Sequence, residues 1–264
     1  MIKKPFRLGT TSFIYPGHII PNVKKIGAFF DEIELLVFES KPEAVMPPRD
    51  DVKKLAELSR DLDLTYNVHL PTDINLSAPD HSIRRDAADT LKRVIERFSI
   101  APVTSFTLHL EMDKPMPSQA SIKAWQKNAR QGLELLVPTL EDPAKVSVET
   151  LWYPPDLFKD LINEFGLSVC ADLGHHIKYG YDILRTFELF GPKINLIHLH
   201  GVDTRVEPPQ DHIGLDKMTP GEFKKIMDHL KYYTGTVCLE VFKLADLQGS
   251  LAALARIFNG IPCI

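Results

Sequence analysis

The stretch Ser168-Val169-Cys170-Ala171-Asp172-Leu173-Gly174-His175 and its successor Asn195-Leu196-Ile197-His198-Leu199-His200-Gly201 decide the fold. Each is a short apolar or β-branched run that ends in acidic or imidazole side chains, and an amphipathic helical stretch, Tyr181–Phe190, lies between them. Such alternation is the pattern of parallel strands joined by crossover helices. Working outward, the same unit repeats along the chain. Strands are expected at Arg7–Thr11, Glu34–Phe38, Thr65–His69, Thr104–His109, Lys145–Thr150, Ser168–Asp172, Asn195–His200 and Thr236–Val241. Helices are expected near Asn22–Phe30, Asp51–Asp61, Ile83–Phe98, Ser118–Leu136, Pro155–Glu164, Tyr181–Phe190, Thr219–Leu230 and Leu244–Ile257. Ser118 before Gln119, the pair Thr219-Pro220 and Pro154-Pro155-Asp156 mark three of the helix starts. Eight units in 264 residues average about 33 residues each, the spacing of a (β/α)8 TIM barrel. No composition shift or Gly/Ser linker divides the chain, so one domain over 1–264 is expected. An open doubly wound sheet is the competing arrangement; the first strand is followed by Thr11-Ser12 rather than by GxGxxG.

Composition narrows the function. The chain has 31 Lys and Arg against 35 Asp and Glu, a net charge of −4, and 44% hydrophobic residues. That is a globular composition able to bury a large core, and it lacks the basic face on which nucleic-acid binding depends. There is no secretory leader pattern and no apolar run of membrane-spanning length, so a cytoplasmic protein with no membrane partner is expected. Cys170, Cys238 and Cys263 are widely spaced, with no CxxC, and read as reduced thiols; Cys170 and Cys238 fall one layer below the strand ends and pack the barrel floor.

The polar residues fall where a barrel collects chemistry. In parallel barrel strands, residues of one parity face the axis, and active sites lie at the C-terminal ends. Strands three to eight end in Asn67-Val68-His69, Thr107-Leu108-His109 followed by Glu111, Ser147-Val148-Glu149, Cys170-Ala171-Asp172 with His175 beyond, His198-Leu199-His200, and Cys238-Leu239-Glu240. Six consecutive strands thus deliver His, Asp or Glu to one rim, with no Arg or Lys at the strand ends to pair them. Unpaired buried charges cost several kcal/mol each, and bound divalent metal removes that cost. A donor set of imidazole and carboxylate suits zinc, manganese, iron(II) or cobalt better than calcium.

These residues carry a resemblance. His69, His109, Glu149, Asp172-x-x-His175, His198, Asp211-His212 and Glu240 on a barrel of this length resemble the xylose isomerase-like TIM-barrel superfamily, which includes endonuclease IV-type apurinic endonucleases and many sugar isomerases and epimerases. The likeness to the endonuclease branch implies more than one metal ion, held by His69, His109, Glu149, Asp172, His175, His198 and Glu240. That branch has Asp-x-His after the seventh strand, whereas Asp211 and His212 are adjacent here, and a third ion depends on this position.

A narrower resemblance, to the cobamide-remodelling phosphodiesterases of the same superfamily, runs through Gly9-Thr10-Thr11-Ser12-Phe13-Ile14, Glu34-Leu35-Leu36-Val37-Phe38-Glu39, Val68-His69-Leu70-Pro71, Asp172-Leu173-Gly174-His175 with Tyr179-Gly180, His198-Leu199-His200-Gly201-Val202, and Leu239-Glu240-Val241-Phe242. It implies hydrolysis of a cobamide nucleotide loop to cobinamide phosphate and an α-riboside. On that reading Glu149 and Glu240 are central or bridging ligands, and His69, His109, His175 and His198 are terminal ones. Asp172 is in line with His175, and His200 and Glu39 orient ligands. Arg205 is either a phosphate contact or a solvated loop residue. Phe13, Tyr15, Trp152, Tyr153 and Tyr179 either stack on a flat corrinoid or roof the barrel. His176 faces away from the site.

The alternative within the superfamily is a one-metal sugar isomerase or epimerase using Glu149, Asp172, His198 and Glu240, with the glutamates as proton carriers. A DNA-repair endonuclease is disfavoured by the acidic charge, and a non-catalytic binder by the density of unpaired carboxylates. The expected partner is a small molecule, corrinoid or sugar, and Pro42–Pro48 and Ile261–Ile264 are candidate contacts of a homo-oligomer.

Overall fold

A computed structural model describes residues 2–39, 46–112 and 118–264. Eight parallel strands close into a barrel in chain order: Arg7–Thr11, Glu32–Leu36, Thr65–His69, Val103–Leu108, Val146–Glu149, Ser168–Asp172, Ile194–Leu199 and Thr236–Leu239, the last pairing with the first. The α/β barrel expected from the alternation is the fold. Helices Ile19–Ile26, Arg49–Leu62, His81–Arg97, Gln119–Leu136, Lys159–Phe165, Ile183–Phe190, Pro220–Leu230 and Leu244–Ala255 surround it. Ser118 caps its helix by accepting the Ser121 N–H, and Thr219 and Glu222 form a reciprocal capping box ahead of Pro220. No helix among the described residues is long and apolar enough to cross a membrane.

The second strand differs from expectation by two residues. It pairs over Glu32–Leu36, with Glu34 opposite Asn67 and Leu36 opposite His69. Glu34 is therefore mid-strand and fully buried, while Glu39 lies exposed on the loop beyond the strand. Three features had no counterpart in the sequence pattern. They are a short helix, Leu173–Tyr179, directly after the sixth strand, an antiparallel hairpin of Gly201–Asp203 with Gln210–Ile213, and a two-residue parallel pair of Ile2–Lys3 with Phe258–Asn259.

The inside–outside alternation holds. Val68, Leu108, Val148, Ala171, Leu199 and Leu239 join the large apolar layer between barrel and helices, whereas Cys170, Leu196 and Cys238 form a separate small cluster inside the barrel. The rest of the interior is polar for a barrel of this kind. Glu32 accepts from Thr65 Oγ1 at 2.7 Å, Asn67 Nδ2 at 3.0 Å and Thr104 Oγ1 at 2.8 Å. Ser105, Ser147 and Asn195 form a second run of hydrogen bonds at 2.6 and 2.7 Å. This hydrogen-bonded floor supports the side chains one layer higher.

Of the segments suggested as subunit contacts, part of Pro42–Pro48 lies outside the described residues. Ile261 and Ile264 pack on this chain's own core, and the Ile264 carbonyl accepts from Gln248 at 2.9 Å.

The loop that leaves His69 is seated by close approach. Gly132, in helix Gln119–Leu136, leaves no room for a side chain: an added Cβ would sit 2.0 Å from the Leu76 carbonyl oxygen. Gly132→Ala should therefore destabilise the fold by about 1–3 kcal/mol, the usual cost of overpacking, visible as a lower denaturation midpoint. An unchanged midpoint would show that this helix does not clamp the loop.

Candidate metal centre

Glu149, at the end of the fifth strand, occupies the middle of the rim and is 1% exposed. His69 Nε2 lies 3.4 Å and His109 Nε2 2.9 Å from its Oε2, His198 Nδ1 is 3.6 Å from the same oxygen, and His175 Nδ1 is 3.5 Å from Oε1. Three sets of donors, each within 4.8 Å of one another, meet around it: His69, His109 and Glu149; Glu149, Asp172, His198 and Glu240; and His175, His200 and His212. His69, His198 and Glu240 form a further overlapping set. Cys170 also lies within reach of Glu149 and His198, but burial pushes its thiol far up and keeps it protonated.

Most of the imidazoles are held from behind. His69 Nδ1 donates to the Leu70 carbonyl at 3.0 Å, His109 Nδ1 to Glu111 Oε1 at 3.1 Å, and His175 Nδ1 to the Thr150 carbonyl at 3.1 Å. His198 Nε2 sits 2.8 Å from Glu34 Oε1. His200 Nδ1 lies 3.2 Å from the Gly201 carbonyl and 3.1 Å from the His212 N–H. It donates to the first in one tautomer and accepts from the second in the other; only the first frees Nε2. For His69, His109 and His198, a partner behind one ring nitrogen leaves the other facing Glu149, the arrangement that metal-binding histidines use; His175 Nδ1 lies near both the Thr150 carbonyl and Glu149. His200, expected to orient ligands, is itself among the donors.

Local sequence places these rings. Asp172 ends the sixth strand and caps the following short helix, accepting the His175 N–H at 2.7 Å, so one carboxylate both starts the helix and faces the centre. Gly174 is required because an added Cβ would lie 2.2 Å from the His200 ring. His212 adopts left-handed backbone, φ 53°, at a register shift in the hairpin. The ring consequently stacks on His200, with centroids 4.1 Å apart and planes 13° apart, and puts Nε2 3.4 Å from Glu240 Oε2. Of the adjacent pair Asp211-His212, only His212 thus joins a donor set.

Two expected site residues fall elsewhere. Asp211 belongs to none of the donor sets; its Oδ2 pairs with Lys178 Nζ at 2.5 Å and lies 3.6 Å from His212 Nδ1, behind that ring. Its role becomes that of an outer partner, because the left-handed turn at His212 sends the two neighbouring side chains in different directions. Arg205 is 64% exposed and bidentate to Asp203, at 2.8 and 3.1 Å, so its charge is engaged on the hairpin and does not reach the rim. His176 faces away as expected, its ring between the Asp172 carbonyl and Thr186 Oγ1, each at 2.6 Å.

Among the aromatics, Tyr153 is fully buried with its hydroxyl on the Leu110 carbonyl, and so belongs to the barrel's roof. Phe13 is 53% exposed. Sequence reading missed Phe38 and Phe242, which meet at 6.2 Å and flank His69 and His212, with ring centroids 4.9 and 5.4 Å away. It also missed Glu34 as a contact of His198, although the alternation Glu32-Ile33-Glu34-Leu35 would have shown two inward carboxylates had the strand been started two residues earlier.

Electrostatics expose what the centre lacks. Burial works against the charge of His109, but Glu149 and Glu111 outweigh it and hold the imidazole's pKa up at about 10. For His212, burial is again outweighed, by Asp211 and Glu240, and its pKa also rises to about 10. Glu149 and Glu240, despite burial, are pulled well below the usual carboxylate range by the neighbouring histidines. Asp172 Oδ2, His198 Nδ1, His200 Nε2 and Glu240 Oε2 remain buried without a hydrogen-bond partner. Orphaned atoms of this kind, three in the central set and one in the flanking set, fit divalent cations, and the nitrogen and oxygen donors fit zinc, manganese or iron.

Residues 20–257 match the family model described as a xylose isomerase-like TIM barrel. No curated protein matches the sequence. Similar solved structures include a D-tagatose 3-epimerase-like protein at 18% identity and TM-score 0.75, covering 95% of this chain and 96% of that one. They also include a 3-keto-D-glucoside 4-epimerase from E. coli in its apo form, at 14% identity and TM-score 0.68, covering 95% and 98%. A protein from Thermus thermophilus soaked with ZnCl2 matches at 18% identity and TM-score 0.68, covering 96% and 97%. With the closed eight-stranded barrel and the match over most of its length, the chain belongs to the xylose isomerase-like TIM-barrel family.

Proposed function

We propose that this protein is a divalent-metal-dependent phosphodiesterase holding more than one ion, and that its substrate is the nucleotide loop of a cobamide. The observation that carries the multi-ion reading is the pair of donor sets flanking the central four: His69 and His109 on one side of Glu149, and His175, His200 and His212 on the other. A single-ion site uses the four-residue set alone and leaves five buried or half-buried imidazoles converging without a task. The cobamide assignment rests on the ordered local segments from Gly9 to Phe242.

When bound, divalent ions there would lower the pKa of a water and stabilise the negative charge that develops on a phosphodiester. Hydrolysis then adds water across one P–O bond: the hydroxyl goes to phosphorus and the proton to the leaving ribose oxygen, giving cobinamide phosphate and an α-riboside. Glu149, ionised and common to the His69–His109 set and the central set, would be the carboxylate available to ions in both, and Glu240 lies against His212 of the flanking set. The chain's own contribution is orientation: carbonyls of Leu70, Thr150 and Gly201 and carboxylates of Glu34, Glu111 and Asp211 stand behind the rings. Phe38 and Phe242 wall one side of the centre, and Phe13 exposes an aromatic face to solvent.

The second reading, a sugar isomerase or epimerase, is favoured by the intact set of Glu149, Asp172, His198 and Glu240 and by the epimerases among the similar folds. The two separate by product. Metal-loaded protein incubated in parallel with a cobamide and with a ketohexose should release an α-riboside and leave the ketose unchanged, by chromatography with mass detection; an epimerised ketose with intact cobamide would overturn the phosphodiesterase. His69→Ala should bind one ion fewer by native mass spectrometry and lose about 100-fold or more in activity, since losing even an outer partner costs ~10–100-fold. Full occupancy in the variant would contradict the flanking site.

Metal loading should also release protons. His109 and His212, with pKa values of about 10 in the metal-free protein, are charged at neutral pH and must deprotonate to bind. Titration calorimetry with zinc near pH 7, in buffers of different ionisation heat, should show net proton release and weaker binding as the pH falls. In the metal-free protein the raised histidine pKa values contribute stability that is full below the unfolded value of about 6.5 and lost as the pH rises through about 10. Loading without proton release would mean that these rings are not ligands.

A further inference from the structure

The second barrel strand carries two carboxylates, Glu32 and Glu34, both fully buried and both facing the barrel interior at different depths. Glu32 is satisfied within its own layer by Thr65, Asn67 and Thr104. Glu34, one layer higher, makes no ion pair with a lysine or arginine among the described residues. Its Oε1 lies 2.8 Å from His198 Nε2, and the Cys238 thiol is 3.5 Å from its Oε2. On the opposite edge of the same ring, His198 Nδ1 faces Glu240 Oε2 at 3.4 Å and Glu149 Oε2 at 3.6 Å. Neither ring nitrogen makes an aligned hydrogen bond: the 2.8 Å pair is within reach but off-line, and Nδ1 is an orphan aimed between two carboxylates.

We infer that Glu34 is a positioning residue that takes the Nε2–H of His198 and so presents the Nδ1 lone pair to a divalent cation. A neutral imidazole has one N–H and one lone pair, and whichever nitrogen meets an acceptor carries the proton. Glu34 is the acceptor on the outer edge; without it, the proton can sit on Nδ1 and hydrogen-bond to Glu149 or Glu240, which blocks the inner edge. Glu34 belongs to none of the donor sets, so it acts through His198 rather than on the ion. The inference rests on His198 as a metal ligand, which the multi-ion and single-ion readings share, so its failure and the failure of the phosphodiesterase reading are distinguishable.

The test compares Glu34→Gln, Glu34→Leu and the neighbouring control Glu32→Gln, measuring zinc affinity by chelator competition and the absorption spectrum of the cobalt(II)-substituted protein. Glu34→Leu should weaken binding of one ion by about 10–100-fold, the range seen for lost outer partners, and change the cobalt spectrum. Glu34→Gln, which retains an oxygen acceptor without the charge, should fall between it and the unmodified protein. Glu32→Gln should keep native affinity and spectrum even where its denaturation midpoint drops. Native affinity and spectrum in Glu34→Leu would overturn the inference, as would an equal loss of metal in Glu32→Gln, which would mark a general effect of disturbing this strand. A single ion in the unmodified protein would count against the phosphodiesterase reading while leaving the Glu34 comparison to be read on that ion.

Discussion

Burying the Glu149 carboxylate is the constraint on which the rim depends. A carboxylate removed from water costs several kcal/mol unless opposing charge surrounds it, and this one is 1% exposed with no lysine or arginine contact among the described residues. In the metal-free chain the opposing charge is imidazolium: His109 is held charged by Glu149 and Glu111, and the histidines in turn keep Glu149 ionised. The arrangement stores positive charge where a cation fits better. Divalent ions held here would take the place of the protons, with the orphaned atoms of Asp172, His198 and Glu240 available in the central set and that of His200 in the flanking one.

The barrel makes that concentration possible because strands three to eight each end in a polar side chain at the rim. Alternation sends Val68, Leu108, Val148, Ala171, Leu199 and Leu239 into the helix layer and frees the neighbouring positions for polar groups. Beneath the rim, Glu32 with its three hydrogen bonds and the Ser105, Ser147 and Asn195 chain lie beside the small apolar cluster of Cys170, Leu196 and Cys238. Above it, positioning passes to loop features: the Asp172 cap, the missing side chain at Gly174 and the left-handed turn at His212. Each brings a ring from outside a strand into register with those at strand ends.

The eight-unit repeat and the parity of strands three to eight were legible in the chain because both are local periodicities, and they led to the barrel and to His69, His109, Glu149, Asp172, His198 and Glu240. What was not legible depended on register and on turns. Glu34 was hidden because Val37 and Phe38 extend the apolar run and draw the expected strand two residues late, past the Glu32-Ile33-Glu34-Leu35 alternation; pairing with the neighbouring strands places its start at Glu32. The separate fates of Asp211 and His212 follow from a positive φ at His212 that its side chain does not announce. Arg205 was open to two readings although its bidentate partner, Asp203, is only two residues back, because the Asp-x-Arg spacing does not by itself show which way either side chain turns.

On the proposed reading Glu149 is shared by adjacent ions. Anomalous diffraction from crystals grown with zinc, recorded on both sides of the zinc absorption edge, tests it most directly. The account predicts at least two zinc peaks, one among Glu149, Asp172, His198 and Glu240 and another against His69 and His109, with Glu149 reaching both. One peak at the four-residue set, with His69 and His109 free of metal under saturating zinc, would contradict it.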